Sequence, residues 1–342
     1  MKTAYLKAHS TKDAFTQLQQ EFGGSLTTHY KEYILEVDGP LGKGSIKGVP
    51  LKDGMSYLEF NMVFFTNVEL TIATPDKHPI FFTYCSEGNF SHSFGKQTAK
   101  HQLESFQTGI LTSKQALDNV LYFSAHTPTK VTLIAVQTFS LPGYTNTQSL
   151  KNKLRETFFE NSTNTEFVYI GSHNLQIAEK INQLQAITQK GLVRSLLIQG
   201  LVHVILALEI QQHSDDAKLK AKQTGSLTFS EMKTIKAVSD YVNEHSDTQI
   251  TITDLYTEFG LSPSKLQEGF KLMHGHTVAE YIKEVRIKKA EVLLKSTDMN
   301  ISQVVYTIGL TSRSYFSKIF KEKYNCSPKD YKISQRNTSI SA

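Results

Sequence analysis

The feature that most constrains this chain is a repeat near its C-terminal end. Two segments 50 residues apart share the order Phe-Lys, then Gly or Asn, then Thr or Ser, then an acidic residue followed by Tyr. The members are Phe270, Lys271, Gly275, Thr277, Glu280 and Tyr281 in the first copy, and Phe320, Lys321, Asn325, Ser327, Asp330 and Tyr331 in the second. The chain therefore encodes one supersecondary unit twice.

Each copy has the pattern of two helices joined by a tight turn. In the first copy, residues 252–259 fit a helix, and a glycine follows that can adopt the left-handed backbone conformation of a turn. Ser262 is a good N-cap for the next helix, and Pro263 stands at its first position, where proline is tolerated. In the second copy, the helix at 301–308 is followed by the same arrangement. The residues expected to shape the turns and to pack beneath the second helices are Gly260, Leu261 and Phe270 in the first copy and Gly309, Leu310 and Phe320 in the second.

This pattern is typical of the helix-turn-helix, in which the second helix can enter a DNA major groove. A third helix joins the copies and begins with a capping box, Thr277-Val-Ala-Glu280. Running to about residue 295, it is roughly 27 Å long at 1.5 Å per residue. One turn of B-DNA is about 34 Å. The spacing predicts that recognition helices at 263–273 and 313–323 occupy two adjacent major grooves.

The outward positions of these two helices are the predicted DNA contacts. Arg313 can bond guanine, Gln267 suits adenine, Glu268 can accept from cytosine, and lysines suit phosphates. The predicted DNA-binding residues are Ser264, Lys265, Gln267, Glu268 and Lys271 in the first helix, and Ser312, Arg313, Ser314, Ser317, Lys318 and Lys321 in the second.

Charge is divided unequally between the two copies. Residues 231–280 contain 4 basic and 8 acidic residues, whereas residues 281–336 contain 12 basic and 5 acidic residues. Neutralising phosphates with Lys and Arg makes affinity depend on salt. The second copy and the joining helix should therefore supply most of the salt-dependent attraction to DNA.

The rest of the chain predicts a multi-domain α and β protein. Residues 1–147 consist mostly of short strands separated by turns, such as 62–65, 69–73, 80–84 and 130–139, which is the pattern of a barrel or jelly roll. Residues 148–225 are predicted to be a helical dimerisation or linker segment. Residues 226–336 form the all-α domain with two helix-turn-helix units, and a disordered tail follows at 337–342.

The helix predicted at 192–210 is apolar around most of its circumference. Such a helix is normally buried, either in its own domain or against a partner chain. Both alternatives stay open at this point, and the second predicts a homodimer formed through residues 175–210.

Composition limits the compartment and the chemistry. The chain has 342 residues, a net charge of +5 and only two cysteines, Cys85 and Cys326. Their separation fits neither a disulfide framework nor a zinc site, and it suits a reducing cytosol. The N-terminus lacks the apolar segment of a signal peptide, and charged or polar residues interrupt the most apolar stretch. These features predict a cytoplasmic protein without a membrane partner.

The C-terminal part resembles the arabinose-regulator (AraC/XylS) family of bacterial transcription factors. The stretch from Ile301 to Lys321, followed by Ser327-Pro328 and Tyr331, is very similar to the family signature. The resemblance implies a DNA-binding domain that contacts two adjacent major grooves, preceded by a sensing or dimerisation domain that is often a cupin-like β-barrel. It also makes RNA polymerase and a small-molecule effector candidate partners. The N-terminal half resembles siderophore-responsive regulators of the pyochelin-regulator type.

The sequence leaves two other functions open for the N-terminal half. A metal-dependent cupin enzyme would need gathered histidines, whereas the candidates are scattered and none forms a His-x-His pair: His29, His78, His92, His101 and His126. A dimerisation module without a ligand is the other alternative. The glycine-rich stretch 39–45 lacks the spacing of a phosphate loop. We expect no enzyme activity, no metal and no cofactor.

Overall fold

The computed structural model describes residues 1–73, 79–96, 99–115, 117–138, 150–160, 165–218, 227–248 and 250–333. The chain divides into two compact units, Met1–Thr224 and Gly225–Ala342. The predicted tail at 337–342 and the predicted boundary at residue 226 lie outside the described residues.

The N-terminal unit is built mainly from two β-sheets. Its strands are β1 (Lys2–Leu6), β2 (Ser25–His29), β3 (Glu32–Gly39), β4 (Gly42–Pro50), β5 (Met55–Phe64), β6 (Val68–Ile72), β7 (Pro79–Glu87), β8 (Asn89–Phe94), β9 (His101–Glu104), β10 (Gln107–Ser113), β11 (Asn119–Phe123), β12 (Pro128–Gln137) and β13 (Glu166–His173). One sheet has the order β1-β6-β11-β8-β9, and the other has the order β13-β10-β7-β12-β5-β4-β3-β2. The strands predicted at 62–65, 69–73, 80–84 and 130–139 correspond to parts of β5, β6, β7 and β12.

Aromatic side chains from both sheets fill the space between them. The Phe64 and Phe123 ring centroids are 5.3 Å apart, and Phe60 and Phe90 lie 5.5 and 6.3 Å from Phe123. All four side chains are almost fully buried. The sheets thus enclose one continuous hydrophobic core.

A helix near the N-terminus was missed by the sequence analysis. Helix α1 (Thr11–Phe22) is capped by Ser10, whose hydroxyl accepts a hydrogen bond from the Asp13 amide. Phe15, Leu18 and Phe22 line one face and are buried in the core. Their spacing of three and four residues is the helical signal, which the surrounding polar residues obscured.

The middle of the chain is not wholly helical, which corrects the prediction for residues 148–225. Helix α2 (Leu150–Arg155) continues into one π-helical turn at Glu156–Glu160, and strand β13 then pairs antiparallel with β10 at the edge of the larger sheet. The sequence of β13, Glu-Phe-Val-Tyr-Ile-Gly-Ser-His, is rich in β-branched and aromatic residues, which favour strands. Helices α3 (Leu175–Gln185) and α4 (Gly191–Lys218) follow.

Helix α4 extends further than the sequence predicted. The helix was predicted at 192–210, but α4 continues through the charged segment from residue 211 to Lys218. The Gln212 side chain bonds Thr108 and Ser172, and Asp216 accepts hydrogen bonds from Tyr169 and Ser172. Polar bonds to β10 and β13 therefore hold the C-terminal half of α4 in place.

The described part of the C-terminal unit is all-α. Its helices are α5 (Phe229–Glu244), α6 (Ile252–Phe259), α7 (Pro263–His274), α8 (Val278–Ser296), α9 (Ile301–Thr307) and α10 (Arg313–Tyr324). Helices α8, α9 and α10 share a hydrophobic cluster centred on Val304, Phe316 and Phe320. Helices α5, α6 and α7 bury Ile235, Leu255 and Phe270. Helix α8 joins the two groups.

Candidate DNA-binding surface

Helices α6 and α7 form the first helix-turn-helix. Gly260 ends α6 with a φ of 67°, a left-handed conformation that glycine adopts without steric cost. Leu261 is buried directly after it. The Ser262 hydroxyl then accepts a hydrogen bond from the Lys265 amide at 3.3 Å, and Pro263 begins α7. This local chemistry turns the chain sharply and starts the recognition helix.

Helices α9 and α10 repeat this arrangement with one difference. Gly309 has a φ of 71°, and Ser312 caps α10 by accepting from the Tyr315 amide. A Cβ atom at Gly309 would lie 2.7 Å from the Thr248 carbonyl oxygen, whereas one at Gly260 would have no neighbour within 4 Å. The second turn is therefore packed against the segment that precedes α6, and the first turn is open.

Equivalent caps end the two recognition helices. Gly275 after α7 and Asn325 after α10 both adopt the left-handed conformation, with φ values of 74° and 56°. Asparagine is one of the few other residues that tolerate this conformation. The capping box at Thr277 and Glu280 is formed, and in the second copy the Ser327 hydroxyl accepts from the Asp330 amide and donates to the Asp330 carboxylate. The sequence repeat is thus also a repeat of helix ends.

The second recognition helix presents most of its predicted contacts to solvent. Phe316, Ile319 and Phe320 are buried beneath it. Ser312, Arg313, Ser314, Lys318 and Lys321 are exposed, and Ser317 is half-buried. The side chains of Arg313, Lys318 and Lys321 have no acidic partner within ion-pair distance in the described parts of the chain. One continuous basic and hydroxyl-bearing face results.

The first recognition helix has fewer free side chains than predicted. Lys265 forms an ion pair with Glu231 on α5, with a nitrogen–oxygen distance of 2.5 Å. The side-chain Oε1 atom of Gln267 accepts a hydrogen bond from the Val278 amide at 3.2 Å. Glu268 is half-buried, while Ser264 and Lys271 are exposed. The structure therefore engages Lys265 and Gln267 within the domain.

Gly269 has a packing role on the buried side of the first recognition helix. A Cβ atom there would lie 2.4 Å from Cγ1 of Ile235. Helix α5 thus packs closely against α7 at this point. This contact explains a glycine inside a helix, where it otherwise lowers stability.

Three large exposed side chains of the two helix-turn-helix motifs were not among the predicted contacts. Tyr315 on α10, Leu272 on α7 and Tyr306 on α9 are 47%, 46% and 67% exposed. Tyr315 lines a cleft between the two helix-turn-helix motifs of the C-terminal unit, together with Ile252 and Arg286. Apolar or aromatic side chains at solvent-facing positions of a recognition helix were the available signal.

Polar contacts attach the joining helix α8 to residues near both helix-turn-helix motifs. Arg286 donates a hydrogen bond to the Thr248 carbonyl oxygen at 2.8 Å, and burial lowers the pKa of its guanidinium from the usual range. Glu284 pairs with Lys323 of α10 at 2.6 Å, and that hydrogen bond lowers the pKa of the Glu284 carboxyl. These contacts give α8 a defined position relative to both helix-turn-helix motifs.

Two histidines of the N-terminal unit, His92 and His101, lie opposite each other on β8 and β9. His92 is buried and its Nε2 atom lies 2.8 Å from the Asn119 side-chain oxygen, while burial lowers its pKa to about 4. In the described ranges, no three His, Cys, Asp or Glu side chains converge in a way that could hold a metal ion. His78 lies outside those ranges.

Comparison with known proteins agrees with this geometry. Residues 255–333 match the family of helix-turn-helix domains. The chain is 20% identical over 219 residues to the HTH-type transcriptional activator RhaR of Mannheimia succiniciproducens, which covers 64% of this chain and 69% of that protein. It is 28% identical over 104 residues to the regulatory protein SoxS of Salmonella typhimurium, covering 30% of this chain and 97% of that protein. It is also 35% identical over 99 residues to histidine kinase P4 of Formosa agariphila, covering 29% of this chain but 7% of the kinase.

The C-terminal unit thus defines a DNA-binding protein with a duplicated helix-turn-helix. This helix-turn-helix domain, residues 255–333, is of the AraC/XylS type.

Proposed function

We propose that this regulator binds double-stranded DNA by placing α7 and α10 in two adjacent major grooves. The observation that carries the proposal is the repeated turn, cap and recognition helix on either side of α8. Helix α8 has 19 residues, so it is about 28 Å long at 1.5 Å per residue. That length approaches one turn of B-DNA, about 34 Å. Bases are proposed to contact Arg313, Ser314 and Ser317, and phosphates to contact Lys318 and Lys321.

Selection of bound sites from a random duplex pool, followed by gel-shift titration, tests this function. Arg313→Ala should weaken binding to the selected site by about 1–3 kcal/mol and relax base choice at one position. Lys329→Ala is the matched control, because Lys329 is exposed but lies beyond α10. Equal affinity and equal base preference of the parent and Arg313→Ala would show that α10 is not a recognition helix.

We further propose that the protein is a homodimer that associates through α4. One face of α4 is apolar yet uncovered in the N-terminal unit. Leu192, Val193, Leu196, Leu197 and Val204 are between 40% and 74% exposed. An uncovered apolar surface of this kind is unfavourable in water and marks a contact surface.

The order of residues on this face favours an antiparallel pair of α4 helices. Val193, Leu197, Gly200, Val204 and Ala207 follow one another at alternating spacings of four and three, the heptad pattern of helix pairs. In an antiparallel pair centred near residue 202, the small residues Gly200 and Ala207 lie opposite Val204 and Leu197. A parallel pair would place Gly200 opposite itself and leave a gap. The antiparallel arrangement also brings basic Lys190 near acidic Asp215 of the other copy.

By length and composition, α4 could also cross a membrane, and only 22% of its most apolar window is buried in the described structure. A single such helix is weak evidence, and the antiparallel dimer makes a distinct prediction. In a Cys326→Ser background, Leu197→Cys combined with Ala207→Cys should form a disulfide-linked dimer more rapidly than either single variant. Leu197→Glu should give a monomer in sedimentation. A soluble monomer for the parent protein would overturn the dimer.

The N-terminal unit is proposed to be a cupin-like barrel that responds to a small-molecule effector in the cytoplasm. Its two sheets around one core support the barrel assignment. An effector can act only by binding one arrangement of the protein more tightly than another. Small molecules that shift the unfolding temperature of the protein and also change its DNA affinity would identify the effector. RNA polymerase is the proposed partner at bound promoters.

A further inference from the structure

Helix α4 contains a carboxyl group that has no partner in the described structure. Glu209 is completely buried, and neither of its carboxyl oxygens has a hydrogen-bond partner. It lies one turn before Gln212, whose side chain bonds Thr108 of β10 and Ser172 of β13. Glu209 is therefore enclosed where α4 meets the larger sheet, on the same helix as the exposed apolar face but away from it.

The described ionisable groups that interact electrostatically with Glu209 offer no compensating positive charge. Tyr84 on β7 and Tyr169 on β13 lie within electrostatic range of Glu209. The Tyr84 hydroxyl already donates to the Asn174 carbonyl at 2.6 Å, and the Tyr169 hydroxyl donates to Asp216 at 2.5 Å. Asp216, which accepts the Tyr169 hydrogen bond, is itself an acid and supplies no positive charge.

The histidines and the neighbouring helix do not supply a cation either. Burial lowers the pKa of His173 on β13 and of His213 on α4, so both rings are neutral near pH 7. Helix α3 directs apolar side chains inward, among them Ile177, Ala178 and Ile181. Burial is also the single cause of the change at Glu209, where it raises the pKa of the carboxyl well above its ordinary value.

Burying an ionised carboxylate without a partner is so unfavourable that the group takes up a proton instead. We propose that Glu209 is a proton-operated latch, which keeps α4 docked on the sheet while its carboxyl is protonated and releases it on ionisation. The burial of both oxygens and the absence of donors to them among the described residues carry this inference. It does not depend on DNA binding or on dimerisation.

The direction of the pH effect follows from the raised pKa. The docked state binds more protons than the undocked state, so docking is strongest at low pH and weakens as pH rises above the ordinary carboxyl value of 4.5. The loss is complete above the raised pKa of Glu209. Within this window, one linked proton lowers the docking equilibrium constant by up to about tenfold per pH unit.

Hydrogen exchange of the full-length protein, followed by mass spectrometry from pH 6 to pH 9, tests the latch. After correction for intrinsic exchange rates, protection of the α4 amides in the parent should fall by up to about tenfold per pH unit. Glu209→Gln keeps the shape but cannot ionise, so its protection should be independent of pH. Asp215→Asn, at a more exposed position of the same helix, should behave as the parent does.

The same pH dependence in Glu209→Gln and in the parent would overturn the proposal, as would a parent without any pH dependence. A direct measurement covers the case in which Glu209→Gln does not fold. In parent protein labelled with ¹³C at glutamate carboxyl groups, the Glu209 resonance should keep the chemical shift of a protonated acid at pH 7. An ionised shift at that pH would exclude the latch.

Discussion

At the residue scale, the buried side of the first recognition helix depends on a missing side chain. Gly269→Ala places a methyl group against Ile235, where the ideal distance is 2.4 Å. Overpacking of this kind typically costs about 1–3 kcal/mol of unfolding free energy. We expect chemical denaturation to show a loss of that size for the C-terminal unit.

Shortening the opposing side chain is the control for Gly269→Ala. Ile235→Ala alone should destabilise the domain by removing buried apolar atoms. The double variant should be more stable than the sum of the single changes predicts, because the new methyl group then has room. Simple additivity of the two changes would contradict direct contact between α5 and α7 at this point.

Lys265 and Lys321 are both predicted DNA contacts, but they should contribute differently to the salt dependence of DNA affinity. Lys321 is exposed and has no acidic partner in the described residues, whereas Lys265 is paired with Glu231. Lys321→Ala should reduce the slope of log affinity against log salt by about 1, as expected for one lost phosphate contact. Lys265→Ala should change that slope less. Gel-shift titrations at several salt concentrations measure both, and equal changes would show that Lys265 leaves Glu231 to bind DNA.

At the element scale, the two turns of the repeat have the same backbone but different surroundings. Gly260→Ala introduces only the left-handed backbone strain, about 1–2 kcal/mol. Gly309→Ala adds a clash with the Thr248 carbonyl oxygen, 2.7 Å from the new Cβ. Denaturation should therefore rank Gly309→Ala as clearly the more destabilising change.

Asparagine at the same two positions separates strain from crowding. It tolerates the left-handed conformation, so Gly260→Asn should cost less than Gly260→Ala. Gly309→Asn retains the clash and should stay strongly destabilising. A Gly309 variant as stable as its Gly260 counterpart would mean that the second turn moves away from the segment before α6.

At the scale of the whole molecule, the two compact units suggest a division of labour. A fragment of residues 225–342 retains both helix-turn-helix units but lacks α4. It should bind a single selected site with the affinity of the full chain. On two suitably spaced sites, both copies of the full-length dimer can engage. The dimer should then bind about 10²–10⁴-fold more tightly than the fragment. Equal binding of fragment and full chain on paired sites, measured by gel shift, would contradict dimerisation through α4.

The elements found from sequence are those with strong local signals. Residues 252–259, 263–273 and 301–308 were placed to within about one residue, because caps, turn glycines and apolar spacing coincide there. Parts of the strands at 62–65 and 80–84 were also found from a local signal, which there is a run of β-branched and aromatic residues. Helix α1, strand β13 and the end of α4 were missed or misassigned. Their formation depends on burial and hydrogen bonds against residues far away in the chain.

The sequence by itself determined the duplicated helix-turn-helix, the identity of the capping residues and the outward face of α10. Each of these follows from interactions within a few residues of the chain. Only the tertiary structure decided that Lys265 and Gln267 are engaged within the domain, that Gly269 makes room for Ile235, and that α4 has one buried and one uncovered face. The physical reason is that these outcomes depend on which distant side chain lies opposite, and local sequence carries no record of that.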